Sequence, residues 1–232
     1  MACPGAFVTI GGWRLSSRPL RALRIDLPGF GETPVAAGPD ASPLGRARFV
    51  LEVLNALEVE RATLVGHSMG GVVACAAASL EPERFDGLVL LASPGVRPHA
   101  TLRRIPLPLI EALMAKPRIW EGHRPLTRQL FKWGGFKGYS DAALDRTLLC
   151  VAQTSIAAHA ARVRALGLPT AVAWADDDPL IEAEIMSELA AVCPAGPRLR
   201  FDSGGHNIQK SQAEPIAQAI RAMQRSCVIQ GS

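Results

Sequence analysis

The sequence predicts an α/β fold, in which a mostly parallel sheet carries helices on both of its faces. Short apolar runs alternate along the chain with segments of helical periodicity, and strands that are separated by helices pair in parallel. The chain has 232 residues, of which 48% are hydrophobic and 20% are charged, as in a globular domain. No apolar stretch approaches the roughly 18 residues that cross a bilayer. We therefore expect one α/β domain without a membrane span.

The first predicted elements are a strand, a turn and a helix. The strand ends in Leu23–Asp26, and the turn covers residues 27–31. Between Arg46 and Leu57 apolar residues recur with the helical period, which predicts an amphipathic helix. Its buried face is expected to carry Phe49, Val50, Val53, Leu54 and Leu57.

The pentapeptide at residues 66–70, Gly-His-Ser-Met-Gly, carries the most chemical information in the chain. It follows the apolar run 62–65 and precedes the small-residue stretch 70–78, so a strand must turn sharply into a helix. A G-x-S-x-G sequence in this setting is typical of a nucleophile elbow, in which a strained turn exposes the serine hydroxyl. The flanking glycines leave room for strand and helix to approach closely. We predict that Ser68 is a nucleophile and that the His67 side chain packs beside it.

The remaining elements continue the alternation. Strands are predicted at residues 88–91, 170–174 and 198–201, and helices at about 182–192 and 213–223. Because parallel strands point the same way, their carboxyl ends meet at one edge of the sheet. Ligands of open α/β sheets bind at that edge.

One stretch, residues 96–168, interrupts the alternation because it contains no predicted strand. Helical segments are expected within it at 107–115 and 142–165. We expect this insertion to form a helical lid over the carboxyl edge of the sheet, with the core formed by residues 1–95 and 169–232. The alternative is a packing subdomain that does not touch a substrate.

A nucleophilic serine needs a general base, and the base needs a carboxylate that orients it. His206 follows the predicted strand at 198–201, and the consecutive aspartates Asp176, Asp177 and Asp178 follow the strand at 170–174. Both segments lie at the carboxyl ends of strands. His206 is therefore the predicted base, and one of the three aspartates is the predicted acid. The alternative for the aspartates is a solvated turn before the next helix, whose N-terminus favours carboxylates.

Four segments together resemble the α/β-hydrolase family. They are Asp-Leu-Pro-Gly-Phe-Gly at 26–31, Gly-His-Ser-Met-Gly-Gly at 66–71, Ala-Asp-Asp-Asp-Pro-Leu-Ile at 175–181 and Gly-Gly-His-Asn at 204–207. They stand in the order and spacing of that family. The resemblance implies a serine hydrolase that cleaves an ester, thioester or related acyl bond through an acyl-enzyme, without a metal or an organic cofactor.

The resemblance also selects among the aspartates. The acid of the family usually stands in a Gly-x-x-Asp motif after the corresponding strand. Alignment of Ala175 with that glycine places the acid at Asp178 and leaves Asp177 as the second choice. The implied triad is therefore Ser68, Asp178 and His206.

The family uses two backbone N–H donors to stabilise the oxyanion. The resemblance assigns the first to Met69, which follows the nucleophile. The second comes from an early His-Gly-x-Pro-Gly loop, but this chain starts Met-Ala-Cys-Pro-Gly, so alignment of the Pro-Gly pair makes Cys3 the second donor. The chain is thus expected to be truncated at its start and to lack the first strands of the family sheet. The alternative function is that of a truncated, non-catalytic family member that acts by binding.

Charge and cysteine content narrow the range of partners. The net charge is +4, but the basic residues are scattered, which favours a solvated surface over nucleic-acid binding. Nucleotide binding is disfavoured because no G-x-G-x-x-G or G-x-x-x-x-G-K-[ST] motif opens a helix. Five widely spaced cysteines show no metal or disulfide pattern, which favours the cytoplasm and leaves an organellar location open. The expected partner is a small-molecule acyl substrate.

Overall fold

The computed structural model describes residues 6–10, 22–28, 30–34, 42–104, 106–133 and 141–230. Within these residues, six strands form one sheet in the spatial order β2-β1-β3-β4-β5-β6, and every neighbouring pair is parallel. The predicted α/β fold with a parallel sheet is confirmed. The strands are β1 (Ala6–Ile10), β2 (Ala22–Ile25), β3 (Ala62–His67), β4 (Phe85–Leu91), β5 (Thr170–Ala175) and β6 (Arg198–Phe201).

Helices connect the strands, and the described part of the chain has five helices in succession between β4 and β5. A short 3-10 turn, Pro82–Arg84, precedes β4. The α-helices of the described residues are α1 (Pro43–Ala56), α2 (Met69–Leu80), α3 (Ala100–Arg104), α4 (Leu107–Met114), α5 (Pro117–Trp133), α6 (Asp141–Ala152), α7 (Ile156–Arg164), α8 (Ala183–Val192), α9 (Ile208–Ser211) and α10 (Ala213–Gln230). None of them is long and apolar enough to span a bilayer.

Strand β1 was not predicted from the sequence, which placed the first strand at Leu23–Asp26. It lies between β2 and β3, with Ile10 opposite both Ile25 and Gly66. The run Ala-Phe-Val-Thr-Ile contains β-branched and aromatic residues and so has strand composition. The expectation of a truncated start concerns residues outside the described part of the chain and stays a prediction.

Two helix predictions need correction. Leu57 was expected on the buried face of α1, but the helix ends at Ala56 and Leu57 is exposed. The single helix expected at 142–165 is two helices, α6 and α7. Thr154 Oγ1 donates to the carbonyl of Cys150, and Ser155 Oγ accepts the N–H of Ala158 as an N-cap. Such side-chain bonds to the backbone compete with a continuous helix and favour a break.

Alternating residues of β3 and β4 build a core on each face of the sheet. Leu64, Leu88 and Leu90 pack with residues of α1, α2 and α8. Val65, Val89 and Leu91 point to the other face and pack with residues of α9 and α10. The central strands are therefore buried on both faces, as expected for a parallel sheet.

Helix α2 lies very close to the end of β3. A Cβ on Gly66 would be 2.5 Å from the carbonyl oxygen of Gly70 and 2.6 Å from the Cα of Gly71. Both of these atoms belong to the backbone, so they cannot rotate away. The glycine at position 66 thus permits the sharp entry from β3 into α2.

The helices between β4 and β5 have a small apolar core of their own, formed by Ile110, Phe131, Leu144 and Leu148. Polar contacts join this part of the chain to the sheet. His159 Nε2 donates to the carbonyl of Pro94, just after β4, at 3.0 Å. Burial of the His159 imidazole, which disfavours its charged form, lowers its pKa to about 4.

We expect His159 to make stability depend on pH. Between pH 6.5 and about 4 the unfolded chain protonates this histidine and the folded chain does not, so its stabilising contribution is complete above pH 6.5 and is lost on acidification. The variant His159→Leu should reduce the slope of unfolding free energy against pH in this window, by at most about 1.4 kcal/mol per pH unit. Urea unfolding between pH 4.5 and 7.5 measures the slope, and an unchanged slope would contradict the assignment.

A second prediction concerns the close packing of α2 on β3. The variant Gly66→Ala should lower the free energy of unfolding by about 1–3 kcal/mol, because the new methyl group meets backbone atoms. The matched control is Gly122→Ala in α5, where a Cβ would meet nothing within 4 Å. That change should stabilise the chain by about 0.5–1 kcal/mol through helix propensity. Equal effects of the two changes in denaturant titrations would argue against the close approach.

Candidate active site

Ser68 lies in a strained turn between β3 and α2. Its backbone has φ 52° and ψ −126°, a conformation that costs about 1–3 kcal/mol in a residue other than glycine. The turn is held by two hydrogen bonds: the N–H of Ser68 donates to the carbonyl of Leu91 in β4, and the N–H of Gly71 donates to the carbonyl of Ser68. The strand, the turn and the helix therefore occur where the pentapeptide predicts them.

Two hydrogen bonds connect Ser68 to His206 and His206 to Asp178. Ser68 Oγ lies 2.9 Å from His206 Nε2, and His206 Nδ1 lies 2.9 Å from Asp178 Oδ2. The three residues follow β3, β6 and β5 respectively, so all lie at the carboxyl edge of the sheet. With Nδ1 protonated toward the carboxylate, Nε2 is left as an acceptor for the serine hydroxyl.

The Asp178 carboxylate is buried, and both of its oxygens have hydrogen-bond partners. Its side chain is 1% exposed, against 14% for the His206 side chain. Oδ1 accepts the N–H groups of Leu180 at 2.8 Å and Ile181 at 3.2 Å, while Oδ2 faces His206. The backbone bonds fix the carboxylate in the orientation in which it meets the imidazole.

The two neighbouring aspartates have other partners. Asp177 Oδ1 accepts the N–H of Gly205 at 2.7 Å, and this bond is the main cause of a lowered Asp177 pKa. Asp176 lies 2.9 Å from the guanidinium of Arg200 on β6. Of the three aspartates considered from the sequence, Asp178 is thus the one that contacts His206.

The loop that carries His206 is also anchored by His67. His67 Nε2 donates to the carbonyl of His206 at 2.7 Å, and the two rings lie 4.9 Å apart at 53°. Burial, followed by the nearby His206, lowers the His67 pKa to about 4. His67 is therefore neutral at pH 7. The sequence placed this side chain beside the site but gave no signal for its bond to the His206 backbone.

The structure describes Met69, which is the first of the two proposed oxyanion donors. The N–H of Met69 belongs to the first residue of α2, where amides have no partner within the helix. Met69 also lines the cavity that contains Ser68. Cys3 lies outside the described residues. The assignment of the second donor to Cys3 therefore stays a prediction.

A cavity of about 420 Å³ opens above Ser68. Its lining includes Ser68 and His206 at the sheet edge, and also residues from the helices between β4 and β5. Those residues are Leu102, Phe131, Thr147, Cys150, Val151 and Ile156. The cavity is large enough for a small-molecule ligand, and most of its walls are apolar.

The chain is similar to known proteins in both sequence and fold. A sequence model of the alpha/beta hydrolase family matches residues 2–219. The chain is 30% identical over 217 residues to the dihydrolipoyllysine-residue acetyltransferase component of the acetoin cleaving system of Pseudomonas putida, covering 88% of this chain but only 56% of that protein. It is 27% identical over 216 residues to a 2-hydroxy-6-oxononadienedioate/2-hydroxy-6-oxononatrienedioate hydrolase of Cupriavidus pinatubonensis, covering 86% of this chain and 74% of the relative.

A solved structure shows the same fold. A thermophilic esterase from Thermogutta terrifontis superposes with a TM-score of 0.65 at 22% identity, over 96% of this chain and 90% of the esterase. The family match spans both the sheet and the segments that carry Ser68, Asp178 and His206. The chain belongs to the alpha/beta hydrolase family.

Proposed function

We propose that this chain is a serine hydrolase that cleaves an ester, thioester or related acyl bond through an acyl-enzyme on Ser68. Membership of the family and the hydrolases among its relatives support a hydrolase of the alpha/beta type, without specifying the bond that is cleaved. The single observation that supports the finer proposal is the hydrogen-bonded triad Ser68–His206–Asp178, of which Ser68 and His206 line the cavity.

In the first step, Ser68 Oγ attacks the carbonyl carbon of the substrate. His206 Nε2 takes the hydroxyl proton as the new C–O bond forms, and the resulting imidazolium is stabilised by Asp178. The carbonyl oxygen becomes an oxyanion that accepts a hydrogen bond from the N–H of Met69. Removal of one such donor typically slows catalysis by about 10²–10³-fold, so the second donor, assigned to Cys3 by resemblance, matters for the rate.

In the second step, the imidazolium returns its proton to the leaving group, and the bond between acyl carbon and leaving group breaks. Water then attacks the acyl-enzyme, His206 removes a proton from that water, and Ser68 Oγ is released with the proton. The products are the free acid and the alcohol or thiol. Each step uses the same base and the same carboxylate.

His67 assists this proton transfer because its ring is uncharged and does not repel the imidazolium of His206. A positive charge 4.9 Å from the His206 ring would oppose formation of the imidazolium. Because burial holds the His67 pKa near 4, the His67 ring stays uncharged when His206 is protonated. Its bond to the His206 carbonyl keeps the base in position without competing for the proton.

We further propose that residues 96–168 act as the helical lid expected from the sequence. Three observations support this role. Residues of this segment line the cavity, its helices have a small apolar core of their own, and a hydrogen bond from His159 links the segment to the end of β4. A largely apolar cover would exclude water from the acyl-transfer steps and strengthen the interactions inside the site.

A test of the proposed nucleophile is labelling with a fluorophosphonate probe, which reacts with an activated serine and needs no knowledge of the substrate. Wild type should be labelled at Ser68, and Ser68→Ala should show no labelling while it retains the circular dichroism spectrum and melting temperature of the folded chain. A folded wild type that resists the probe would favour the alternative of a non-catalytic family member that acts by binding.

A second prediction separates the two aspartates. Asp178→Asn should lower the rate of labelling and of p-nitrophenyl acetate hydrolysis by about 10⁴-fold, because an amide favours the wrong tautomer of the base. Asp177→Asn is the matched control, since its side-chain oxygen can still accept the N–H of Gly205. It should remain within about threefold of wild type. Equal losses in the two variants would be inconsistent with Asp178 as the acid.

A further inference from the structure

Charge is divided unequally along this chain. Residues 96–168, which lie between β4 and β5, contain twelve lysines and arginines but only four aspartates and glutamates, which gives a formal charge of +8. The net charge of the whole chain is +4, so the remaining residues together carry −4. Positive charge that is concentrated on one part of a protein favours contact with an anionic partner.

Helix α5 in this segment exposes a row of large apolar side chains, which we call the α5 stripe. The stripe consists of Ile119, Leu126, Leu130 and Trp133, each between 43% and 74% exposed. Spacings of seven, four and three residues place all four on one face of the helix. Leu109 of α4, the helix that packs against α5, is 58% exposed as well. Grouped exposure of this kind indicates a contact surface, whereas single exposed apolar residues do not.

Other residues of α5 attach the helix to the rest of the protein. Phe131 is buried in the small apolar core and also lines the cavity, and Thr127 is buried too. The guanidinium of Arg128 pairs with Asp141 and Asp145 of α6. Since these contacts hold α5 in place, the α5 stripe is left as a second apolar face that is turned to the solvent.

Positive charges accompany the α5 stripe. The helix contains four basic residues and one acidic residue. Lys116 lies just before the helix and Arg118 in its first turn, and both are exposed. Three basic residues of α5 form ion pairs with Asp141 and Asp145. When those two aspartates are counted with α5 and Lys116, the formal charge of this surface is still +2.

We propose that the α5 stripe docks on the surface of an anionic lipid bilayer. A helix of this kind lies in the bilayer interface, where its apolar side chains reach the acyl chains and its cations meet the anionic headgroups. Tryptophan is favoured in that interface, and Trp133 is the most exposed member of the stripe.

The alternative occupants fit the α5 stripe less well. Nucleic acid binds basic proteins mainly through its phosphates, and it would leave the row of apolar side chains in water. Two copies of the chain that met through this face would bring surfaces of the same charge together. A bilayer with anionic headgroups matches both the apolar side chains and the positive charge.

The test is co-sedimentation of the full chain with vesicles of phosphatidylcholine, with and without about one third phosphatidylserine. Binding should require phosphatidylserine and weaken as salt is added. The double variant Leu126→Gln, Leu130→Gln should lower the partition coefficient at least about tenfold, because two leucines no longer leave water. The matched control is Leu57→Gln, Leu80→Gln, which replaces two exposed leucines outside residues 96–168 and should bind as wild type does. Equal binding by all three chains would overturn the proposal.

The contribution of charge is tested on the same vesicles. Lys116→Gln and Arg118→Gln should each weaken binding about fivefold. Arg48→Gln is the matched control, since it removes an exposed charge from α1, and it should leave binding unchanged. Equal binding of wild type to vesicles with and without phosphatidylserine would contradict an anionic partner and overturn the proposal.

Docking goes beyond the proposed hydrolysis and does not depend on it. Ser68→Ala should bind the vesicles as wild type does, so a chain that binds them but resists the fluorophosphonate probe would refute the hydrolase proposal alone. A wild type that is labelled at Ser68 but ignores both kinds of vesicle would refute docking alone. A dimer in sedimentation velocity that Leu126→Gln, Leu130→Gln abolishes, without vesicle binding, would assign the α5 stripe to a second copy and overturn the proposal.

Discussion

The backbone of Ser68 is the constraint on which the rest of the site depends. Within one residue the chain turns from β3 into α2, and the strained φ and ψ angles are held by the bond from its N–H to Leu91 and by the packing of α2. The turn closes because Gly66 has no Cβ to meet α2. The same turn brings the hydroxyl to His206 and places Met69 in the lining of the cavity, so the proposed nucleophile and the proposed first oxyanion donor are positioned together.

The proposed base, His206, is positioned by several independent contacts rather than by one. Asp178 holds the imidazole ring, Asp177 holds the amide of Gly205, and His67 holds the carbonyl of His206. A loop fixed on both sides of the base has little freedom to reorganise when the proton moves, which is the condition for efficient electrostatic stabilisation. Of these groups Asp178 bears the charge that faces the imidazolium, whereas the buried ring of His67 remains neutral.

Features that depend on a few neighbouring residues could be predicted from the sequence. The alternation of elements and the turn at Ser68 follow from periodicity and from glycine, which act over a few residues. Contacts between distant segments could not be predicted from the sequence. The spacing of residues could not decide which aspartate contacts His206. Strand β1 was missed because its pairing with β2 and β3 defines it as a strand. The burial of Arg46 in α1 also depends on tertiary packing, since a helical pattern assigns arginine to the solvent face.

Mass spectrometry gives the most direct test of whether an acyl-enzyme forms on Ser68. Wild type would be mixed with p-nitrophenyl acetate, quenched in acid during the first turnovers and digested. The proposed acyl-enzyme predicts one acetyl group on the peptide that contains Ser68, formed at a rate that matches the initial release of p-nitrophenol and absent from Ser68→Ala. Continued hydrolysis without that adduct, or an adduct that appears only on another side chain, would contradict it.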